Sequence, residues 1–383
     1  MRKIIIFFLV SSFIFPNVVL ANNDVNLTPN AKSAILMEAS TGKIIYNKNA
    51  NEIRSVASLT KMMGLIIIFE TIEKGGLTLD EIVTVSANAK NMGGTQLWLE
   101  VGEKISVKDL IKGITMVSAN DAMVAMAEKV AGTEEAFVKM MNDKVKEYGL
   151  KNTNFKNSTG LDEEDHYSSA YDMAIIATHL LEKNGILDFT SIYESYIREN
   201  TANKTWISNT NKLVRFYEGA DGLKTGYEDT AGSCIAATAK RDNLRLIAVT
   251  LGYEKVNTRN QETMDLLDYG YNQYEAKILY KKGDIVGKTK IDSSSDKQIN
   301  LVASEDIIGI KKKIDEEKDY TYDIKLDNIE LPIKKNDKIG TLYVKENNQV
   351  IITSPLVAEK DIKKIGYFKL FLNTIKDIMI GIN

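Results

Sequence analysis

Apolar positions in the first third of the chain come in two kinds of run. Residues 34–38 and 43–46 are short and mostly apolar, parted by Ala39-Ser40-Thr41-Gly42, and predict a β-hairpin. Met62, Met63 and residues 65–69 form a longer run that predicts a buried helix, opening at Ser58 and closed by Gly75-Gly76. Helical spacing then dominates. Ser106-Val107-Lys108-Asp109 reads as a capping box ahead of a helix over 110–116, and residues 121–130 read as a second helix ended by Gly132. Thr133 caps a third, on which Phe137, Met140, Met141, Val145 and Tyr148 share one face before Gly149 stops it. A polar loop over 157–167 leads into a helix over 168–181.

Strand-like runs return after Gly219. Residues 234–239 and 244–251 flank Arg241-Asp242-Asn243 as a second hairpin, and a helix over 258–274 follows. Strands at both ends thus enclose helices in the middle. The expected fold class is α+β: one antiparallel sheet built from both ends of the segment, helices packed against it, and an inserted helical subdomain. Further on, runs at 298–302, 322–326, 340–344 and 349–352 alternate with Gly, Asn and Asp turns and predict a small all-β domain.

Both termini break the pattern. Arg2 and Lys3 precede an apolar run to Phe15 and the small-residue exit Val19-Leu20-Ala21, which reads as a secretory signal peptide, or alternatively an uncleaved anchor. At the other end Phe368, Phe371, Leu372, Ile375, Ile378 and Met379 follow helical spacing opposite Lys369, Asn373, Lys376 and Asp377. That helix is too polar to span a bilayer but suited to lie on a membrane surface; the alternative is a terminal helix packed on the β domain. The expected division is 1–21, 26–275, 276–365 and 366–383, in a protein secreted across the cytoplasmic membrane and attached to its outer face.

Composition adds mainly exclusions. With 383 residues and a formal net charge of −3 there is room for more than one domain and no basic footprint for nucleic acid. The single cysteine, Cys234, forms neither an internal disulfide nor a zinc cluster, and no metal or cofactor is indicated. The two histidines, His166 and His179, make Ser-His-Asp hydrolysis a poor fit: His179 is expected to be a packed or surface residue, and His166, in a loop that can touch the cleft, to be structural. Trp98 and Trp206 read as packing residues, with Trp98 close enough to the motif-bearing helices to border a site.

Three short motifs carry candidate chemistry. Ser58-Leu59-Thr60-Lys61 puts a hydroxyl and an amine three positions apart, on one face of a helix. Burial favours a neutral amine, and a neutral amine beside a hydroxyl is a general base beside a nucleophile. Ser118-Ala119-Asn120 lies between two helices, where a turn displays a hydroxyl and an amide together. Lys224-Thr225-Gly226 leads into the second hairpin, and a strand there points Lys224 and Gly226 to one face, where glycine allows a substrate backbone to come close. Each motif is weak alone. In this order they form the grouping of penicillin-binding proteins and class A β-lactamases.

With these motifs, residues 26–361 resemble a low-molecular-mass penicillin-binding protein, a serine-type D-alanyl-D-alanine carboxypeptidase of the peptidase S11 kind. Asn157-Ser158-Thr159-Gly160-Leu161-Asp162 and His166-Tyr167-Ser168-Ser169-Ala170-Tyr171-Asp172 add to the likeness, and the β domain and amphipathic tail stand where that family has them. Alanine at position 119 departs from the family pattern between the two chemical side chains. The resemblance implies a Ser58 nucleophile, Lys61 as base and Ser118 as proton relay. It implies that Asn120, Lys224, Thr225, Gly226 and Arg259 bind substrate, and that the backbone N–H groups of Ser58 and Tyr227 form the oxyanion hole. The implied partners are peptidoglycan stem peptides, β-lactam antibiotics and a membrane surface. Two other readings share the motifs. A class A-like β-lactamase needs a deacylating glutamate, but Glu163-Glu164-Asp165-His166-Tyr167 lacks that class's Glu-x-x-Leu-Asn pattern. A non-catalytic sensor or scaffold requires a spanning segment, for which the signal peptide is the sole candidate.

Overall fold

The computed structural model describes residues 25–366, apart from 292, 293, 295, 297 and 316–319, and also residue 375. The segment expected to be a signal peptide, and the expected amphipathic tail apart from Gly366 and Ile375, lie outside the described residues. Two compact units result, one ending at Tyr274 and the other beginning at Glu275.

In the first unit β1 (Ser33–Glu38) and β2 (Ile44–Lys48) form the expected hairpin. The first helix is shorter than its sequence suggests: Ala57–Thr60 is a 3-10 turn, and α1 (Lys61–Glu73) begins at the lysine. Gly75, at φ 74°, ends it. Then come β3 (Ile82–Thr84), α2 (Ala87–Lys90) and β4 (Lys104–Ser106). The Ser106 hydroxyl accepts from Asp109 N and starts α3 (Val107–Lys112). Asp109 does not complete the capping box, because its carboxylate accepts from Arg198 N instead. A π-helical turn, Gly113–Val117, replaces the expected last turns of that helix.

The helices α4 (Asn120–Ala131), α5 (Glu134–Glu147) and α6 (Ala170–Leu181) follow, capped by Thr133 and Ser169 at the last two. On α5 Phe137, Met141 and Val145 are buried, whereas Met140 is 38% exposed and outside the core. After α7 (Leu187–Thr190), the strands β5 (Glu194–Ile197) and β6 (Thr205–Ser208) pair, and α8 (Leu213–Phe216) leads to the main sheet.

That sheet has the order β2-β1-β9-β8-β7, with β7 (Ala220–Glu228), β8 (Gly232–Arg241) and β9 (Leu244–Tyr253) antiparallel to one another. Residues 246–253 are buried without alternation, as expected of a strand covered on both faces. The helix α9 (Val256–Gln273) covers one face, where Gly270 lies against Leu36 and Leu246 and Thr263 bonds Thr250. The apolar α6 also packs on β9, β1 and β8, with α1 packed on α6. One antiparallel sheet thus joins both ends of the segment around a helical subdomain.

The second unit begins one residue into β10 (Tyr274–Tyr280) and continues with β11 (Ile285–Thr289), β12 (Ile299–Ala303), β13 (Ile307–Lys312), β14 (Tyr320–Leu326), β15 (Lys338–Glu346) and β16 (Gln349–Ala358). Five of these form a sheet in the order β11-β12-β16-β15-β14, and β10 pairs with β13. Their inward positions, among them Ile299, Leu301, Leu342, Val344 and Leu356, make an apolar core. No described helix is long and apolar enough to cross a membrane.

Candidate active site

Ser58 sits in the 3-10 turn at the head of α1, held by backbone on both sides. A Cβ on Gly226 of β7 would lie 3.0 Å from Val56 O and 3.1 Å from Ser58 N. A Cβ on Gly160, at φ 83°, would lie 2.0 Å from Ala57 O. Glycine at 226 therefore serves the approach of the strand to the nucleophile's own turn, a tighter constraint than room for substrate. Ala57, the residue before the nucleophile, is at φ 47°, a left-handed conformation that a non-glycine residue keeps only where its surroundings enforce it.

The 3-10 turn preserves the i, i+3 meeting: Lys61 Nζ lies 2.8 Å from Ser58 Oγ and donates to Thr159 O at 2.6 Å. Lys61 is fully buried and has no carboxylate in direct contact among the described residues. Burial, followed by the neighbouring Lys224, holds its pKa well below the usual lysine value, against the weaker pull of Glu228 and Asp121. Lys224, also buried, donates to Thr225 O at 2.8 Å, and burial with Arg259 nearby brings its pKa down to about 7.

Ser118 ends the π-helical turn at φ 70°. Its Oγ is buried and has no hydrogen-bond partner among the described residues. Asn120 begins α4, and its Nδ2 donates to Gly93 O at 2.7 Å while its N donates to Thr95 O at 2.7 Å. The next residue, Asp121, is buried and accepts from Leu97 N at 3.0 Å and Leu99 N at 3.1 Å. Motifs two and three are joined by Thr210, whose N donates to Met116 O at 2.8 Å and whose Oγ1 lies 2.7 Å from Thr225 Oγ1.

Arg259 and Tyr227 stand at the edges of this arrangement. Arg259 donates through Nη1 to Ser233 Oγ at 3.0 Å and Cys234 O at 3.1 Å, directly behind Gly226, which pairs with Cys234. Tyr227 is exposed, its hydroxyl 3.1 Å from Asp229 Oδ1, while its backbone adjoins Gly226 beside the Ser58 turn. His166 is structural in its contacts. Lys156 N donates to Nδ1 at 3.2 Å, so the proton of the neutral ring is on Nε2, 2.8 Å from Thr60 Oγ1. Burial pushes its pKa down to about 4. Sequence reasoning did not single out Thr159, Asp121 or Thr210. Thr159 acts through a backbone carbonyl, which no side-chain pattern announces.

The fold and site define a serine acyl-transfer centre of the penicillin-binding class, and comparison with known proteins agrees. Residues 20–255 match the family model described as D-alanyl-D-alanine carboxypeptidase, and residues 274–364 match that of the penicillin-binding protein 5 C-terminal domain. The chain is 47% identical to the D-alanyl-D-alanine carboxypeptidase DacF of Bacillus subtilis over 352 residues, covering 92% of this chain and 90% of that one. Among solved structures, penicillin binding protein 5 from Haemophilus influenzae superposes with a TM-score of 0.69 at 29% identity, over 88% of this chain and 98% of that one. Penicillin-Binding Protein D2 from Listeria monocytogenes, solved in an ampicillin bound form, gives a TM-score of 0.59 at 28% identity, over 64% of this chain and 100% of that one. The chain belongs to the D-alanyl-D-alanine carboxypeptidase family of serine peptidases.

Proposed function

We propose that this carboxypeptidase removes the terminal D-alanine of peptidoglycan stem peptides through an acyl-enzyme on Ser58, and that β-lactams acylate the same oxygen. The observation that carries the reading is the 2.8 Å approach of Ser58 Oγ to a buried Lys61 amine with a lowered pKa. In its neutral form Lys61 accepts the Ser58 proton as Oγ attacks the carbonyl between the two D-alanines. The backbone N–H groups of Ser58 and Tyr227 receive the developing oxyanion, an interaction worth roughly 3–4 kcal/mol per donor in comparable sites. The C–N bond then breaks, and Ser118 relays the proton held by Lys61 to the departing amine, which returns Lys61 to its neutral form. Asn120 holds the substrate amide, Thr225 binds the terminal carboxylate, and Arg259, with Lys224 in its protonated form, supplies positive potential behind it. Water hydrolyses the ester and frees Ser58. The charged start, apolar run and amphipathic tail of the sequence support work at the outer face of the cytoplasmic membrane.

Labelling with a fluorescent penicillin, beside release of D-alanine from a diacyl tripeptide, tests the reading. Wild type is expected to form one covalent adduct and to release D-alanine, and Ser58→Ala to do neither. Labelling that persists in Ser58→Ala assigns the nucleophile elsewhere.

A further inference from the structure

We propose that Trp98, Tyr196 and Trp206 form an aromatic ledge that stacks the amino-sugar rings of the wall polymer whose peptide enters the Ser58 cleft. The inference rests on the carboxypeptidase reading. Trp98 is 77% exposed and sits at φ 57°, a strained conformation for a bulky residue. Asp121 enforces it by taking the N–H groups of both neighbours, Leu97 and Leu99. A buried carboxylate thus holds a large ring out in water, beside the segment that Asn120 grips at Gly93 and Thr95. Strain of this kind persists where the fold over-determines it, and functional sites are where it collects.

The second part of the ledge is the β5–β6 hairpin. Tyr196 and Trp206 are direct cross-strand partners and therefore share one face, 44% and 55% exposed, while Ile197 and Ile207 on the other face are buried. The Arg198 guanidinium joins the two parts: it donates to Leu97 O and to Thr205 Oγ1, each at 3.4 Å. Those acceptors belong to the residues just before Trp98 and Trp206. Each part also leads into the cleft, Trp98 through Thr95 and Asn120, Trp206 through Thr210 and Thr225. Around the rings lie polar groups, with Glu103 on Arg198 and the Lys204 ammonium 4.2 Å from the Tyr196 ring centroid. Two rings paired across a hairpin and edged by hydrogen-bonding groups suit a pyranose, which offers a C–H face and a hydroxyl edge, better than a lipid surface.

The test uses the full chain carrying Trp206→Ala or Trp206→Phe. Binding is measured by co-sedimentation with insoluble wall glycan stripped of peptide, which does not depend on catalysis. Wild type and Trp206→Phe are expected to bind alike, and Trp206→Ala about five- to thirty-fold more weakly. Release of D-alanine from a sugar-free diacyl tripeptide should be unchanged in all three, while release from the same peptide on its disaccharide should fall in Trp206→Ala through KM. Equal glycan binding by wild type and Trp206→Ala overturns the ledge. So does loss confined to anionic phospholipid vesicles, which assigns the rings to a membrane. Failure of wild type to release D-alanine, with glycan binding intact, removes the carboxypeptidase reading and leaves the ledge standing.

Discussion

The two units of this protein both carry exposed ion pairs but differ in the cations they bury. The β-rich unit has an apolar core of Ile, Leu and Val, and its ion pairs, such as Lys345 with Asp323 and Lys338 with Asp327, are partly or largely exposed. The unit ending at Tyr274 buries Lys61, Lys224 and Arg259, and their direct hydrogen bonds go to hydroxyls, carbonyls and an amide rather than to carboxylates. Burying cations in this way opposes folding, and a fold retains them only where they do something else. The contrast separates a unit organised for stability from one organised for chemistry.

Lys61→Met should sharpen the contrast most. Penicillin acylation is expected to fall on the order of a thousandfold, with the melting temperature equal or higher, because an apolar side chain replaces a buried amine. A clear loss of stability would make Lys61 a structural residue. Leu342→Ala in the other unit should do the reverse. It is expected to cost about 3 kcal/mol in that unit's own unfolding transition and to leave the acylation rate unchanged. A slowed acylation would join the two units functionally.

The third effect is one of pH. The unfolded chain keeps the Lys224 proton to about its ordinary value of 10.5, whereas the folded protein releases it near 7. Between these limits the unfolded state binds more protons, so stability rises with pH and the gain is complete only above the upper one. Lys224→Met should remove that share of the slope, at most about 1.4 kcal/mol per pH unit, as read from urea midpoints at pH 7 and 9. A midpoint that climbs as steeply as wild type's contradicts the assignment. The smallest effect is Lys345→Ala, a loss of about 0.5 kcal/mol or less in the same urea titration, since its partner is well exposed.

Much of this was legible in the sequence where one side chain answers another at fixed spacing. Ser58 and Lys61 meet even though the helix begins three residues later than its pattern suggests, because a 3-10 turn also brings i and i+3 together. Lys224 and Gly226 share a face by strand alternation alone. Elements held by backbone or by distant partners were not legible. The π-helical turn before Ser118, the β5–β6 hairpin and the Thr159 carbonyl leave no periodic mark. Trp98 and Trp206 were expected to pack, with Trp98 close enough to border a site; both rings are exposed instead, Trp206 on the outer face of its hairpin and Trp98 turned outward by the buried Asp121.

Gly160 and Gly226 meet the nucleophile's turn with main chain alone. This has an evolutionary consequence. A drug target commonly escapes its inhibitor by changing a side chain that touches the reactive centre, and these two walls have none to change. Any larger residue there moves Ser58 itself, harming the natural reaction along with the antibiotic's. Routes to β-lactam insensitivity in this chain therefore run through the rim, at positions such as Tyr227, and selection experiments should find them there.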